Sequence, residues 1–178
     1  GTVLVQTLER DGRRLETRLL TQQEGEWAGY SYLWDADQQD AILVSAKGTQ
    51  LELPQDRSWN IPSRAECMMC HSRAAKYTLG LTELQLNRTV RIDDQPVNQI
   101  AHWLKQELLT GAKAEDYVEG GKRAQNALPN PHDASLELEP RVRAYWQANC
   151  AHCHVEAGGG NAQMELEWHR TLADTRTV

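Results

Sequence analysis

Two pentapeptides of one pattern use every cysteine in the chain: Cys67-Met68-Met69-Cys70-His71 and Cys150-Ala151-His152-Cys153-His154. The order C-x-x-C-H suits covalent haem attachment. Two thiols at that spacing can add across the two vinyl groups on one edge of a porphyrin. The residue that follows can then set an imidazole under the iron as proximal ligand. A single such pentapeptide can arise by accident, but two, with no cysteine left over, point to two covalently attached haem c groups. Cys67, Cys70, Cys150 and Cys153 are then the attachment residues, and His71 and His154 the proximal iron ligands.

Other chemistries of paired cysteines fit less well. Zinc ribbons separate their C-x-x-C pairs by about 15 to 20 residues, whereas nearly half the chain lies between these two. Zinc also gives no reason for a histidine directly after both pairs. A thioredoxin-like dithiol carries one C-x-x-C beside a βαβ pattern, and no such pattern is visible.

The distal ligands stay open at this stage. Met68 and Met69 lie inside the attachment loop and cannot reach the opposite face of their own haem, and no other methionine precedes Met164. For the first haem the candidates are His102, on an amphipathic stretch beside Trp103, and His132, in a loop after Pro131. Ligation by two histidines would set a lower potential than His/Met. For the second haem Met164 is the candidate and His169 its rival; ten extended residues after His154 span up to about 33–36 Å, enough to pass a ring edge. His152 could serve only a neighbouring haem or solvent.

These residues must be positioned by a chain of 178 residues with 40% hydrophobic and 25% charged side chains and a net charge of -6. That balance disfavours nucleic acid and anionic membranes, whose phosphates attract clustered Lys and Arg, and it favours partners with a basic docking face. No stretch approaches the 18 or more apolar residues of a membrane span, so no transmembrane anchor is expected. The chain opens at Gly1 directly into a strand-like run, and covalent haem attachment outside the cytoplasmic membrane implies an export signal removed or lying upstream.

The expected fold class is α+β: an N-terminal antiparallel β meander, residues 1–54, packed on a mainly α-helical dihaem region, residues 55–178. Turn signals at Asp11-Gly12 and Glu24-Gly25 separate strand-like runs. In Trp27–Trp34, Ala28, Tyr30, Tyr32 and Trp34 share one face, an aromatic stripe read as core or edge packing. Ala41–Val44 makes a further strand. Pro54–Pro62 reads as a linker. Asp93 or Asp94 can cap a helix whose apolar positions Val97, Ile100, Trp103, Leu104 and Leu108 recur at helical spacing, closing at Gly111. A loop rich in Gly, Asn and Pro spans Gly120–Asp133. A later helix, starting near Asp133 or Ser135 with Pro140 in its first turn, places Val142, Tyr145, Trp146 and Asn149 on one face and runs into Cys150.

Beyond the haem motifs, the chain resembles a group of bacterial dihaem c-type cytochromes, sometimes fused to or neighbouring sugar-dehydrogenase-like propellers. The resemblance rests on Arg13–Leu20, Gly25–Trp34, Trp59–Cys67, Leu79-Gly80, Leu84–Asn87, Arg141–Tyr145 and Asn149–His154, and covers nearly the whole sequence. It implies an exported, periplasmic or extracellular electron-transfer module between a dehydrogenase donor and a cytochrome or oxidase acceptor. Such proteins usually continue to a Met-Pro segment that looks like the distal ligand of the second haem, and this chain stops at Val178. The second haem region is therefore expected to be truncated, or completed by another group. Two further readings remain: a peroxidase-like haem enzyme with one open distal site, and a homo-oligomeric assembly in which a histidine of one subunit ligates haem in the next.

Overall fold

The computed structural model describes residues 1–55 and 57–177. The chain is α+β and divides into two compact units, Gly1–Arg73 and Ala74–Val178.

The first unit is built on an antiparallel meander of β1 (Val3–Arg10), β2 (Arg13–Gln23), β3 (Glu26–Trp34) and β4 (Ala41–Leu43), paired in that order. Two-residue hairpin loops need positive φ at both central residues to match the twist of their strands. Asp11 (52°) with Gly12 (75°), and Glu24 (51°) with Gly25 (86°), supply it at the turns that the sequence marks. The register sets Glu16, Arg18 and Leu20 opposite Leu33, Ser31 and Gly29, so these six share one face of the sheet. The other face carries the aromatic stripe, half-buried, with the Arg14 guanidinium 3.7 Å from the Trp34 ring centre and Arg64 4.6 Å from that of Tyr30.

The segment read as a linker is structured instead. Apart from Asp56, which lies outside the described residues, β5 (Thr49–Leu53) turns back into β6 (Arg57–Ile61) as a second antiparallel ladder. Its pairing explains the difference: Ser58 and Asn60 look loop-like one by one, but they alternate with Trp59 and the fully buried Ile61. β6 leads directly into α1 (Arg64–Cys70). The compact first unit runs to Arg73 and so includes the whole first C-x-x-C-H motif.

The second unit is loop-rich and carries short helices rather than a helical bundle. It holds α2 (Glu83–Leu86), the hairpin β7 (Thr89–Ile92) and β8 (Gln95–Asn98), α3 (Gln99–Lys105) and α4 (Leu138–Asn149). Asp93 (φ 47°) and Asp94 (φ 60°) form the hairpin turn and do not cap a helix. Val97 therefore lies in a strand, Asn98 caps α3 by accepting from the Ala101 N–H at 3.0 Å, and the helix ends at Lys105, well before Gly111. Ile100, Ala101 and Tyr117 form the unit's buried cluster, with Leu86, Leu104 and Leu109 against it. The buried Asn87 pins the Gly-, Asn- and Pro-rich loop: its Nδ2 donates to the carbonyls of Arg123 (2.8 Å) and Asn126 (3.0 Å).

Helix α4 begins after Glu137, two residues past Ser135 and four past Asp133, because the Asp133 carboxylate turns onto Ser135 (N–H 3.0 Å, Oγ 2.6 Å). Pro140 stands in its first turn, where no helical N–H is required. The buried residue on α4 is Ala144, while Tyr145 is half-exposed and Asn149 exposed. The buried face is therefore displaced to Ala144, flanked by Arg143 and Gln147, which hold Trp168. No described helix is long and apolar enough to cross a membrane.

Candidate functional site

Both pentapeptides are wound as one helical turn. In the first, the His71 N–H donates to the Cys67 carbonyl at 3.0 Å; in the second, the His154 N–H donates to the Cys150 carbonyl at 2.9 Å. Residues three apart on such a turn project to the same side. Each pair of thiols is thus offered side by side, with the histidine one step on. None of the four cysteines is in a disulfide, and all are half-buried.

The first turn is started by a capping box. Ser63 Oγ accepts from the Glu66 N–H (3.2 Å), and the Glu66 carboxylate accepts from the Ser63 N–H (2.8 Å). These bonds hold the Glu66 carboxyl below its ordinary pKa of 4.5. The turn ends at His71, the C-cap of α1. It lies on β3 at the one position without a side chain: a Cβ added to Gly29 would stand 2.7 Å from Cys67 Cβ and 2.9 Å from its Sγ. Along the same sheet face is an ion pair whose carboxylate is buried and whose guanidinium is half-exposed. Glu16 is fully buried and accepts from Arg18 Nε (2.8 Å) and Nη2 (2.9 Å) and from Trp59 Nε1 (3.0 Å). Burial pushes the Cys67 thiol above its usual pKa; the Arg18 charge works against this and Glu16 adds to it. A thiol raised in this way is a poor thiolate nucleophile, unlike the depressed thiols of dithiol redox sites.

The second turn follows α4 without a break, as the sequence places it. Cys150 caps the helix, its N–H donating to Trp146 at 2.8 Å, and Cys153 closes on the Cys150 carbonyl at 3.0 Å. The glycine run then folds back onto the motif: the Gly160 N–H reaches the Cys153 carbonyl (3.0 Å) and the Leu166 N–H reaches that of His154 (2.9 Å). α4 grips the following segment through Gln147 Oε1, which accepts from the Trp168 N–H at 2.6 Å, and through Arg143 Nη2, which donates to the Trp168 carbonyl at 2.7 Å.

The His154 imidazole sits where a side chain on Gly160 would collide with it, an added Cβ lying 2.9 Å from Nδ1. That Nδ1 is buried and has no hydrogen-bond partner among the described residues. Buried polar atoms are nearly always paired, and the exceptions mark sites held for another purpose. Two cysteines on one turn with an imidazole pinned beside them, as at the second motif, are a donor set that would suit a covalently attached, histidine-ligated haem.

The distal candidates all lie in the second unit. His102 is half-buried on α3, and His132 is exposed, its N–H bonded to Asn130 Oδ1 at 3.0 Å. Met164 is half-buried, two residues before Leu166, so the ten residues after His154 are folded back and not extended. His169 is exposed, 3.9 Å from Glu167. A cleft of about 160 Å³ in this unit opens beside Ala151 and His152, with Leu79, Gln85, Gln147 and Glu167 among its walls; the attachment residues do not line it.

Gly29, Gly160 and the Glu16–Arg18–Trp59 network were not singled out by reading the sequence. A glycine inside an alternating strand is a known sign of close approach, and Gly29 carried that signal. No protein-family model matches the chain, and no curated protein or solved structure is significantly similar to it.

Proposed function

We propose that the chain is an exported, dihaem c-type electron-transfer module. The observation that carries this reading is the duplicated geometry: two separate C-x-x-C-H sequences closed by the same bond from histidine N–H to first-cysteine carbonyl, at 3.0 and 2.9 Å. Cys67 and Cys70, and Cys150 and Cys153, would provide the thioether sulfurs, and His71 and His154 would each bind an iron. Haem held in this way supplies one-electron chemistry, and the protein sets its potential, access and partners.

The chain's own residues do the holding. The capping box and Gly29 seat the first turn on the sheet, and α4 with the Gly158–Gly160 fold-back seats the second. The core of the second unit supports the reading: its buried apolar residues, among the described ones, are Ile100, Ala101, Tyr117, Ala144, Ala151 and Leu166, half of them alanines. Domains with so little core are commonly stapled by a covalent or metal group. The proposed partners are an exported dehydrogenase as donor and a cytochrome or oxidase as acceptor, meeting the acidic chain through a basic face. The proposed compartment is periplasmic or extracellular.

Expression with an export signal and haem-attachment machinery tests the proposal. Denaturing mass spectrometry should show the polypeptide plus two haems, and the reduced-minus-oxidised spectrum two reversible low-spin centres. A bare polypeptide, or one that retains zinc, refutes it. Rapid carbon monoxide binding with peroxide turnover would replace the carrier with the peroxidase-like enzyme.

A further inference from the structure

We propose that the Glu16–Arg18–Trp59 network beneath Cys67 sets the potential of the haem attached at Cys67 and Cys70, which gives the strand-rich face a part in electron transfer. This rests on the haem reading above. The register puts Glu16, Arg18, Ser31 and Gly29 on one face of β2 and β3, and Gly29 is the seat of Cys67, so the first attachment sulfur stands on the face that holds the ion pair.

The pair is not symmetric. Glu16 has no exposed side-chain surface, whereas Arg18 is 37% exposed. At the half-buried Cys67 the Arg18 charge still outweighs that of Glu16, so the field the pair leaves there is positive, with the carboxylate offsetting part of it. A positive field disfavours the oxidised, more positive iron and raises its potential, and the Glu16 carboxylate holds that rise in check. The same two charges already act on the Cys67 thiol in its free form.

Packing alone gives little reason for this pair. Well-fitted apolar residues in place of a buried ion pair are often equally or more stabilising. Three donors are nonetheless arranged on Glu16, one of them from β6, the strand that leads into the attachment helix. Ser31, opposite Arg18, adds a buried hydroxyl with no partner among the described residues, a further dipole on this face.

Two substitutions with opposite electrostatic sign test the idea. Glu16→Gln keeps the shape and removes the negative charge; the first haem's potential should rise by the equivalent of about tenfold in its one-electron equilibrium, ~59 mV. Trp59→Phe keeps a ring and removes a donor from the carboxylate, so the potential should fall. Arg18→Lys, which keeps the charge, should stay near the parent value. Potentiometric titration followed optically reads these shifts, and the first haem's wave is the one lost in the Cys67→Ala/Cys70→Ala variant. The second haem's wave should not move. Shifts of one sign in Glu16→Gln and Trp59→Phe, or no shift in proteins that carry both haems by mass, overturn the inference and leave the haem reading intact. A parent chain without haem removes both.

Discussion

Replacing Gly29 by alanine tests whether the first C-x-x-C-H motif is seated on the sheet. Strand glycines cost roughly 0.5–1 kcal/mol relative to alanine, and Gly29 does not have a left-handed φ that only glycine tolerates. Without the motif above it, Gly29→Ala would therefore stabilise the protein. The structure reverses that sign. The new methyl would lie 2.7 Å from Cys67 Cβ, an atom fixed to the α1 backbone and unable to swing aside, and 2.9 Å from its sulfur. Overpacking of this kind costs typically about 1–3 kcal/mol. Against the propensity gain, the expected net loss is about 1–2 kcal/mol. For a unit the size of Gly1–Arg73, each kcal/mol lowers Tm by roughly 4–8 °C. Urea and thermal unfolding of the haem-free chain measure the loss, with Gly159→Ala as control, because a Cβ there meets nothing within 4 Å. In the haem-loaded protein the same change should reduce attachment at the first motif. A Gly29→Ala chain as stable as the parent, or more so, would refute the seating of Cys67 on β3.

Three other substitutions follow from the same geometry. Gly160→Ala drives a methyl to 2.9 Å from His154 Nδ1 and 3.0 Å from the Cys153 carbonyl; it should lower haem yield at the second motif or leave that centre high-spin, and an unchanged spectrum would count against the pinned imidazole. Ser63→Ala removes half of the capping box and should cost about 1 kcal/mol by urea unfolding at neutral pH. Because the folded Glu66 pKa is depressed, the carboxylate's share of that cap is intact above its ordinary pKa of 4.5 and lost as pH falls through the lower folded value. Ser63→Ala keeps the backbone N–H that the carboxylate accepts from, so its deficit should persist in acid, whereas the parent and a Glu66→Ala chain should converge there; a Ser63→Ala deficit that vanishes in acid would be the contrary result. Asn87→Ala leaves the carbonyls of Arg123 and Asn126 without their amide donor; a loss of about 1–3 kcal/mol, with faster proteolysis in the 120–133 loop, is expected, and unaltered protection would contradict the pinning.

What the sequence determined by itself was local. Asp11-Gly12 and Glu24-Gly25 announce their hairpins because a two-residue turn is specified by its own φ angles. The alternation in β2 and β3 exposes their faces because side chains change side at every residue. The local geometry of the two motifs is legible for the same reason: cysteines three apart and a histidine one further on lie within a single turn, and both turns form as their spacing requires. The second motif's place at the end of α4 was also readable, since helix and motif are contiguous.

Tertiary structure decided what depends on distant partners. Arg57–Ile61 became a strand because Thr49–Leu53 pairs with it, and Asp93-Asp94 became a hairpin turn because Thr89–Ile92 meets Gln95–Asn98. The buried face of α4 was set by the segment around Trp168 that Arg143 and Gln147 hold, not by the helix's own apolar residues. Gly29 against Cys67, Gly160 against His154 and Trp59 on Glu16 join residues far apart or folded back on one another. Propensity and spacing act over a few residues, whereas van der Waals exclusion and the field of a buried charge act through space, so these contacts exist only once the chain is folded.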